Sequence, residues 1–557
     1  MSILNTGKNA AALSLRLPGA LYRWVDRNIL ELGRELRLSY LPPLMVYLAA
    51  GISGLTNIVG TFFVKEYLGL SAEFLAALGF WAGIPWALKM PLGHLVDLLW
   101  RWKGTLVVIG AGLIATSLAI MIGLIGHTEA MRAIMPVDTW YVLSALLAPV
   151  GYVLQDVVAD AMTVEAVPRV DDNGQPFGAD ARKLMHTTMQ TLGRVAIVSG
   201  GVLVAVVNIV MFDGVEALPQ ADKAAVYHDI YTMALAIPAV SVLGVGLAML
   251  LRLRDMRRLL RRGYDRAQVH EMLAVHGDGT APNWWILGGS LVFVGFSIGM
   301  GLSDVSYSQE IIFLGSMAII LFLMVRLVKV LEPQARNMLV GTAVVIFVFR
   351  AVPTPGAGST WWMIDELGFD QQFLSVLSLI GSTLALFGMF LFRRFMAERS
   401  IAYVVGFLTI AGTLLSLPIV GMYYGLHEWT ARVTGGVVDA RFIALVDTAL
   451  ESPLGQIAMI PMLAWIANSA PAQLKATFFA VMASFTNLAL SASQLGTKYL
   501  NQVFLVTREV KDHATGQVMV PADYSQLGEL LITSTALTFL LPMGTILLIR
   551  TMRLRTA

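Results

Sequence analysis

Apolar stretches of about 20 residues or more recur along almost the whole chain, and short polar segments separate them. A helix of that length crosses the hydrocarbon core of a bilayer. The pattern therefore predicts about fourteen transmembrane helices. We expect them near residues 41–64, 73–97, 104–125, 139–163, 184–211, 229–252, 283–302, 310–331, 338–362, 372–392, 401–424, 441–468, 475–504 and 526–550.

The polar segments divide these helices into groups. Six predicted spans precede a basic segment at 250–266 (LLRLRDMRRLLRRGYDR), an inserted pair follows it, and six more complete the chain. Two six-helix halves around a central site form the major facilitator arrangement. The predicted fold is all-α and integral to the membrane, with two six-helix bundles plus the inserted helix pair. The predicted domains are a cytoplasmic N-terminal segment (1–40), an N-terminal bundle (41–252), a basic connector with the inserted pair (253–337) and a C-terminal bundle (338–557).

Composition agrees with this fold and excludes several classes of function. Hydrophobic residues make up 57% of the chain and charged residues 14%, whereas soluble domains are about 25% charged; mean hydropathy is +0.70. A net charge of +2 without a concentrated basic domain argues against a nucleic-acid partner. The absence of cysteine excludes disulfides, thiolate metal sites and a cysteine nucleophile. We expect neither a metal nor an organic cofactor.

Lysine and arginine set the predicted orientation. If the N-terminus is cytoplasmic, the segments on that side hold 25 of them and the opposite loops hold five, which is the bias that cytoplasmic loops carry. Both termini are therefore predicted to be cytoplasmic, in a bacterial inner (plasma) membrane. Residues 21–38 place apolar side chains at helical spacing and predict an amphipathic helix lying on the membrane lipid. An ordinary solvated helix is the alternative.

Charged residues inside the predicted spans of the first half are the first candidates for function, because each is costly there and usually faces a cavity or a partner. Asp156 and Asp160 are four residues apart on one face of the fourth span. Arg194 lies at a similar depth in the next, antiparallel span, which predicts an ion pair with Asp156. Lys89 either reaches the cavity or extends to the cytoplasmic surface.

The second half repeats this arrangement. Asp447 and Glu451 are again four residues apart in the fourth span of that half. Arg350 lies in the first span and precedes VPTPGAG, whose prolines and glycines predict a kink or an unwound segment. The predicted sites of substrate binding or proton coupling are Asp156, Asp160, Arg194, Arg350, Asp447 and Glu451. The alternative is that these charges are ties that fix the bundle.

Two further groups are candidates for gating and for substrate stacking. The segment GHLVDLLWRWK (93–103) approximates the G-x-L-x-D-R-x-G-R-K loop of major facilitators, and two tryptophans break that consensus. Gly93 would allow close helix packing there, and Gly93, Asp97 and Arg101 would act in gating together with Glu165, at the cytoplasmic end of the fourth span. Trp361 or Trp362 would stack on a solute at the outer mouth.

The stretch LQDVVADAMTVEAV resembles the D-V-V-x-D-A-x-x-V-E motif of the folate–biopterin transporter family, a branch of the major facilitators. Four further stretches agree with that family in order, at 74–97, 364–388, 451–465 and 471–489. QDVVADA and LGRVAIVSGG also resemble the more distant muropeptide permeases. The resemblance implies a transporter with alternating access, with Asp156, Asp160 and Glu165 in the acidic motif and Asp447 and Glu451 in a motif of the second half.

Two departures from the family qualify this resemblance. The inserted pair at 283–331 lies outside the twelve-helix pattern. RAVPTPGAGSTWW, at the expected cavity, lacks the family's acid until Asp365, so the resemblance does not identify folate as the substrate.

The predicted function is secondary active transport, coupled to H⁺, of a small organic solute that is anionic or aromatic and pterin- or folate-like. The first alternative is a major-facilitator-fold protein without transport, an assembly or pigment-handling factor whose protein partner would bind the inserted pair; the second is a muropeptide-type permease. The sequence shows no HExxH motif, nucleophile elbow or acidic diphosphate-binding loop. We therefore expect the chain not to be an enzyme.

Overall fold

The computed structural model describes residues 31–68, 70–87, 89–99, 102–168, 177–273, 284–301, 305–329, 332–392, 395, 399–455, 457, 475–511, 518–552, 554 and 556. Each predicted span overlaps a described helix, although residues 456 and 458–468 of the span predicted at 441–468 lie outside the described residues. Two short strands form a hairpin before the last helix. Most of the predicted amphipathic segment at 21–38 lies outside the described residues, which begin in helix α1 (Glu31–Arg34).

The first half consists of helices that follow the predicted spans closely. Its helices are α2 (Leu41–Ile52), α3 (Asn57–Tyr67), α4 (Ala72–Ala87), α5 (Lys89–Leu98), α6 (Lys103–Gly126), α7 (Thr128–Ile134), α8 (Val137–Ala166), α9 (Ala179–Met211), α10 (Gln220–Ala234) and α11 (Ala236–Arg261). The connector contains the short helix α12 (Arg266–Leu273), and the inserted pair is α13 (Trp284–Gly301) with α14 (Ser308–Val328).

The second half repeats the order of long helices seen in the first. It comprises α15 (Pro333–Arg350), α16 (Ala357–Asp365), α17 (Gln371–Leu391), α18 (Ile401–Tyr423), α19 (Leu426–Val433), α20 (Ala440–Glu451), α21 (Lys475–Val503), strands β1 (Val510–Lys511) and β2 (Val518–Val520), and α22 (Leu527–Thr551). Nine helical stretches within the described ranges are long and apolar enough to cross a membrane. The total of fourteen spans stays a prediction.

The first span of each half is interrupted. A 3₁₀ turn at Ser53–Thr56 separates α2 from α3, and a mid-helix 3₁₀ stretch often marks a hinge. In the second half α15 ends at Arg350 and α16 begins at Ala357 after Gly356, whose φ of 79° suits glycine. The predicted break after Arg350 is therefore confirmed.

Side chains of α21 and α22 bind the backbone groups that this second break exposes. Ser493 donates to the carbonyl of Val352 (2.6 Å), and Asn501 donates to that of Pro355 (3.1 Å). The Thr354 N–H donates to the Thr497 hydroxyl (3.0 Å). An irregular backbone can persist at membrane depth only when its polar groups have such partners.

Small residues bring helices into close contact inside the first half. At the crossing of α2 and α9, a Cβ added to Gly200 would lie 2.6 Å from the carbonyl carbon of Gly51. Only glycine fits at this distance, and such small-residue contacts are common between membrane helices. The crossing fixes α9, which carries Arg194, against the first span.

The most extensive contacts between the two halves are made by two pairs of helices. α4 packs on α21, and α9 packs on α17. In the first contact the Asn487 amide donates to the Trp86 carbonyl (3.1 Å); in the second, Gly201 lies against Ser382. Both contacts involve helices from opposite halves, so they form a large part of the interface between the halves.

The inserted pair packs on this interface. Phe293, Ile312 and Leu323 of the pair share one apolar cluster with Phe80 of the first half and Leu488 of the second. At the start of α14, polar contacts reach both halves: Gln309 donates to the Ala77 carbonyl (3.2 Å) and accepts from Lys498 (3.1 Å), and Glu310 pairs with Lys498 (3.1 Å).

We predict that Gly200→Val destabilises the first half, because the added side chain would push α2 away from α9. Overpacking of this kind costs about 1–3 kcal/mol. The measurement is the thermal unfolding midpoint of the purified protein in detergent. Gly246→Val on α11 is the matched control, since no described atom lies within 4 Å of a Cβ added there; equal midpoints for the two variants would contradict the packing argument.

Candidate functional site

One face of α8 carries the central charges. Tyr152, Asp156 and Asp160 follow one another at intervals of four residues, so their side chains project from the same side of the helix. α8 packs against α4 and α5 on this side and against α2. The sequence pattern alone predicts this shared face, whereas the identity of its partners depends on how the helices pack.

Lys89, at the start of α5, binds both carboxylates. Its Nζ lies 2.5 Å from Asp156 Oδ2 and 2.8 Å from Asp160 Oδ2. The Tyr47 hydroxyl donates to Asp160 Oδ1 at 2.6 Å. We call these four residues the acid–lysine cluster. The Lys89 and Asp156 side chains are each 18% exposed and Asp160 is 39% exposed, so the cluster borders an open space.

The predicted ion pair between Asp156 and Arg194 is not found among the described residues, where Lys89 of α5 pairs with Asp156 instead. Arg194 still lies near enough for its charge to act on both Asp156 and Asp160. The sequence allowed Lys89 either to reach the cavity or to extend to the cytoplasmic surface. In the structure its amine binds Asp156 and Asp160.

Arg194 also acts across the interface between the halves. Its charge acts on Arg350, at the end of α15. Two guanidinium groups of like charge near each other in a low-dielectric region repel. An anionic group placed between Arg194 and Arg350 would reduce that repulsion; the role of both arginines in attracting an anion stays a prediction.

The acid pair of the second half has a different environment. Asp447 is partly buried, and its Oδ1 has no hydrogen-bond partner among the described residues. Glu451 at the end of α20 is exposed. The described part of the chain contains no ion pair to either carboxylate. The two halves thus repeat the spacing of their acids, and among the described residues only the first pair has a lysine that neutralises it.

The residues predicted to act in gating are only partly visible. Glu165 pairs with Lys103 (2.5 Å) and more distantly with Arg252 (3.8 Å), which joins α6, α8 and α11 at the predicted cytoplasmic face of the first half. No described atom lies within 4 Å of a Cβ added to Gly93, so the expected close packing at this glycine is not seen. Arg101 and the side chain of Asp97 lie outside the described residues.

A second charged group joins the halves at the opposite, predicted outer face. Lys65 at the end of α3 pairs with Asp365 at the end of α16 (2.5 Å). Asp365 also accepts a hydrogen bond from the Tyr524 hydroxyl (2.5 Å). Burial, together with this bond to a carboxylate, raises the pKa of Tyr524 far above its usual value, so Tyr524 remains a proton donor.

Arg508 completes this group. Arg508 is 5% exposed, and its guanidinium donates to the main-chain carbonyls of Lys65, Leu68 and Leu70 in the first half. We call Lys65, Asp365, Arg508 and Tyr524 the outer clamp. The sequence does not predict this group. Arg508 lies in a loop and binds main-chain carbonyls, and such partners leave no pattern of side chains to recognise.

The two tryptophans proposed for stacking have different surroundings. Trp361 is 2% exposed, and the Arg508 guanidinium lies 5.3 Å from the centre of its ring; it also lines a cavity. Trp362 packs against Tyr423, with ring centres 5.7 Å apart. Trp361 is therefore the better candidate for contact with a solute.

Comparison with known families identifies relatives of the chain. The model of the BT1 family matches residues 50–556. The folate-biopterin transporter of Synechocystis sp. is 30% identical over 144 residues, which cover 26% of this chain and 28% of that relative. The match thus spans less than a third of the relative's length. The predicted resemblance to folate–biopterin transporters is confirmed.

Solved structures show the fold. The peptide transporter POT in complex with sulfate has a TM-score of 0.53 at 14% identity and covers 93% of this chain and 95% of its own. A mutant of the nucleoside transporter NupG has a TM-score of 0.52 at 13% identity, with coverage of 92% and 99%. The predicted all-helical integral membrane fold of the major facilitator type is confirmed.

We predict that Lys89→Met leaves Asp156 and Asp160 without their cation and destabilises the protein. Removing one partner of a buried ion pair costs about 3–5 kcal/mol, and the partial exposure of this cluster reduces the expected loss to about 1–3 kcal/mol. The loss should be larger at pH 8 than at pH 5, because a proton can neutralise a carboxylate in place of lysine. Thermal unfolding in detergent at both pH values is the measurement, with exposed Lys329→Met as the control; a loss independent of pH would contradict this assignment.

We predict that Arg508→Gln opens the predicted outer face. Hydrogen bonds to charged groups contribute about 1.5–3 kcal/mol each. Loss of those made by Arg508 should therefore raise the access of water-soluble reagents to the region behind the clamp by about tenfold or more. Because the chain has no cysteine, a single Thr61→Cys substitution, one turn before Lys65, reports access through its rate of labelling by a membrane-impermeant maleimide. Arg432→Gln, at an exposed arginine on the same predicted face, is the control. Equal labelling rates in folded Arg508→Gln and control proteins would refute the clamp.

Proposed function

Because the chain belongs to the BT1 family, we propose that it is a secondary active transporter that moves a small organic solute by alternating access. The observation that carries this proposal is the acid–lysine cluster, where two carboxylates and an amine lie inside predicted spans and remain partly exposed. Charges at that depth are costly and mark solute or ion pathways in membrane proteins. The outer clamp, which ties the halves together at one face, supports alternation between a closed and an open outer end.

The coupling ion is H⁺. Asp160 is the most exposed member of the cluster and bonds to both Lys89 and Tyr47. A proton on Asp160 removes one of the two negative charges that Lys89 neutralises, so Lys89 then pairs with Asp156 alone. Since Arg194 interacts with these acids and with Arg350, protonation changes the electric field across the interface between the halves. Asp447, with its unpartnered oxygen among the described residues, is the second candidate proton carrier.

The solute is an organic anion that carries an aromatic ring, as in pterins and folates. Arg194 and Arg350 supply positive charge for its anionic group, and Trp361 supplies an aromatic surface. The name of the Synechocystis relative agrees with this class. The stretch RAVPTPGAGSTWW sets the shape of the solute site, because it forms the break that lies between Arg350 and Trp361.

The protein lies in the bacterial inner membrane with both termini in the cytoplasm, a proposal supported by the asymmetry of lysine and arginine between the two sides. The inserted pair uses one face to bind its own chain through Gln309, Glu310 and the shared apolar cluster. This supports a bracing role for the pair, and a role as docking surface for a protein partner stays a prediction.

We predict that the purified protein in liposomes accumulates a ring-containing organic anion, such as a folate, when a pH gradient is imposed. With one proton per solute, each pH unit supplies about 1.4 kcal/mol and drives roughly tenfold accumulation. Asp160→Asn and Asp447→Asn should abolish the dependence on the gradient while exchange of solute across the membrane continues. Asp138→Asn, in the first turn of α8 at its predicted outer end, is the control. Full pH-driven accumulation by both acid variants would refute the coupling assignment.

A further inference from the structure

A cavity of about 540 Å³ lies in the predicted outer half of the first bundle and is closed on one side by α16 of the second. The break between α2 and α3 forms part of its wall through Ser53, Thr56 and Asn57. Its volume falls in the range of about 300–1,000 Å³ that small-molecule sites occupy. We call it the hydroxyl chamber.

The described lining of the chamber is partly polar and carries no charge. Half of its twenty lining residues carry a hydroxyl or an amide, and none of them is acidic or basic. At the break, Tyr152 interacts with Ser53, and Tyr231 interacts with Thr56. Hydroxyls and amides of this kind can donate and accept hydrogen bonds, whereas an ion placed here would be left without a counter-charge.

Aromatic rings form part of the same lining. Trp361 lines the chamber with one part of its surface and packs beneath Arg508 of the outer clamp. Tyr141 and Tyr152 of α8 line the chamber from the first half. Aromatic rings that converge from both halves favour a flat ligand, because stacked or edge-on rings gain energy beyond the burial of their area.

The chamber adjoins the charged groups described above. Tyr152 precedes Asp156 by one turn on the same face of α8. A solute whose ring lies beside Tyr152 therefore extends its charged end toward the acid–lysine cluster and toward Arg194, whose charge acts on that cluster. In this arrangement the chamber recognises the uncharged part of the solute, and the neighbouring charged residues recognise its charged end.

We propose that the hydroxyl chamber is the binding site for the uncharged end of the solute, a planar nitrogen-containing heterocycle held by hydroxyl hydrogen bonds and stacked against Trp361. The inference rests on the proposed transport function and assigns the two ends of the solute to different places. The ring enters the chamber, and the carboxylate remains outside it on the side of the arginines. Tyr152 and Trp361 determine specificity for the ring.

The test is binding of separate fragments to the full-length protein in detergent, measured by titration calorimetry. 6-Methylpterin is the uncharged ring probe, and 4-aminobenzoate and glutamate are the charged probes. Tyr152→Phe removes only the hydroxyl and should weaken binding of 6-methylpterin between about two- and tenfold. Trp361→Phe keeps an aromatic ring of smaller area and should weaken it as well.

Two further Tyr→Phe substitutions serve as matched controls. Tyr424→Phe and Tyr403→Phe each remove a hydroxyl from an exposed tyrosine. Neither should change the affinity for 6-methylpterin. A thermal unfolding midpoint within the range of the controls shows that Tyr152→Phe is folded.

Three outcomes would overturn the inference. Equal affinity of wild type and Tyr152→Phe for 6-methylpterin would place the ring elsewhere. If the wild type failed to bind 6-methylpterin, the chamber would not be a site for an uncharged heterocycle. The same would follow if only the charged probes bound and Tyr152→Phe weakened their binding. In each of these cases, pH-driven uptake by wild type would leave the proposed transport function standing; absence of any such uptake would refute that function itself.

Discussion

Every polar group in the hydrocarbon of a membrane needs a partner from the protein, because no water is there to supply one. The helices of this chain meet that constraint within themselves, and the interrupted first span of the second half meets it through a neighbouring helix. After Arg350, the freed backbone groups bind Ser493, Thr497 and Asn501 of α21. The shape of the break therefore depends on α21, and a change in α21 changes the path of the first span of the second half.

The same constraint divides the charged residues into two kinds. Asp156 and Asp160 are neutralised by Lys89 of their own half. Lys65 and Arg508 bind partners of the opposite half, and these contacts exist only while the halves touch at the predicted outer face. Charges of the first kind can keep their partners through a relative movement of the halves, and charges of the second kind must exchange theirs for water. The outer clamp thus links the position of the halves to hydration.

The sequence predicts much of this structure because periodicity and composition are local properties. The spans, the shared face of Asp156 and Asp160 and the break after Arg350 each follow from residues within a few turns of one another. Lys89 lies 67 residues from Asp156, and Arg508 lies more than 400 residues from the carbonyls that it binds. Such pairs depend on which helices become neighbours, so they appear only when the chain is folded.

The chamber is a stronger example of the same difference. Its hydroxyls are spread over five helices of the two halves and over the 3₁₀ turn, and none of these residues stands out in its own segment. A serine or threonine in an apolar span commonly bonds to its own helix backbone. For each of these residues taken alone, such a structural role is therefore the expected one. Only their convergence around one volume distinguishes them.

Gln309 has a mechanical consequence. Its amide binds the Ala77 carbonyl of the first half and the Lys498 amine of the second, so one side chain of the inserted pair spans the seam. If the halves roll apart at that end, one of these bonds must break in every cycle; if they pivot about it, both can persist. In the second case the inserted pair is the point about which the halves pivot. Its removal would then change how far the halves move and the turnover rate more than the affinity for solute.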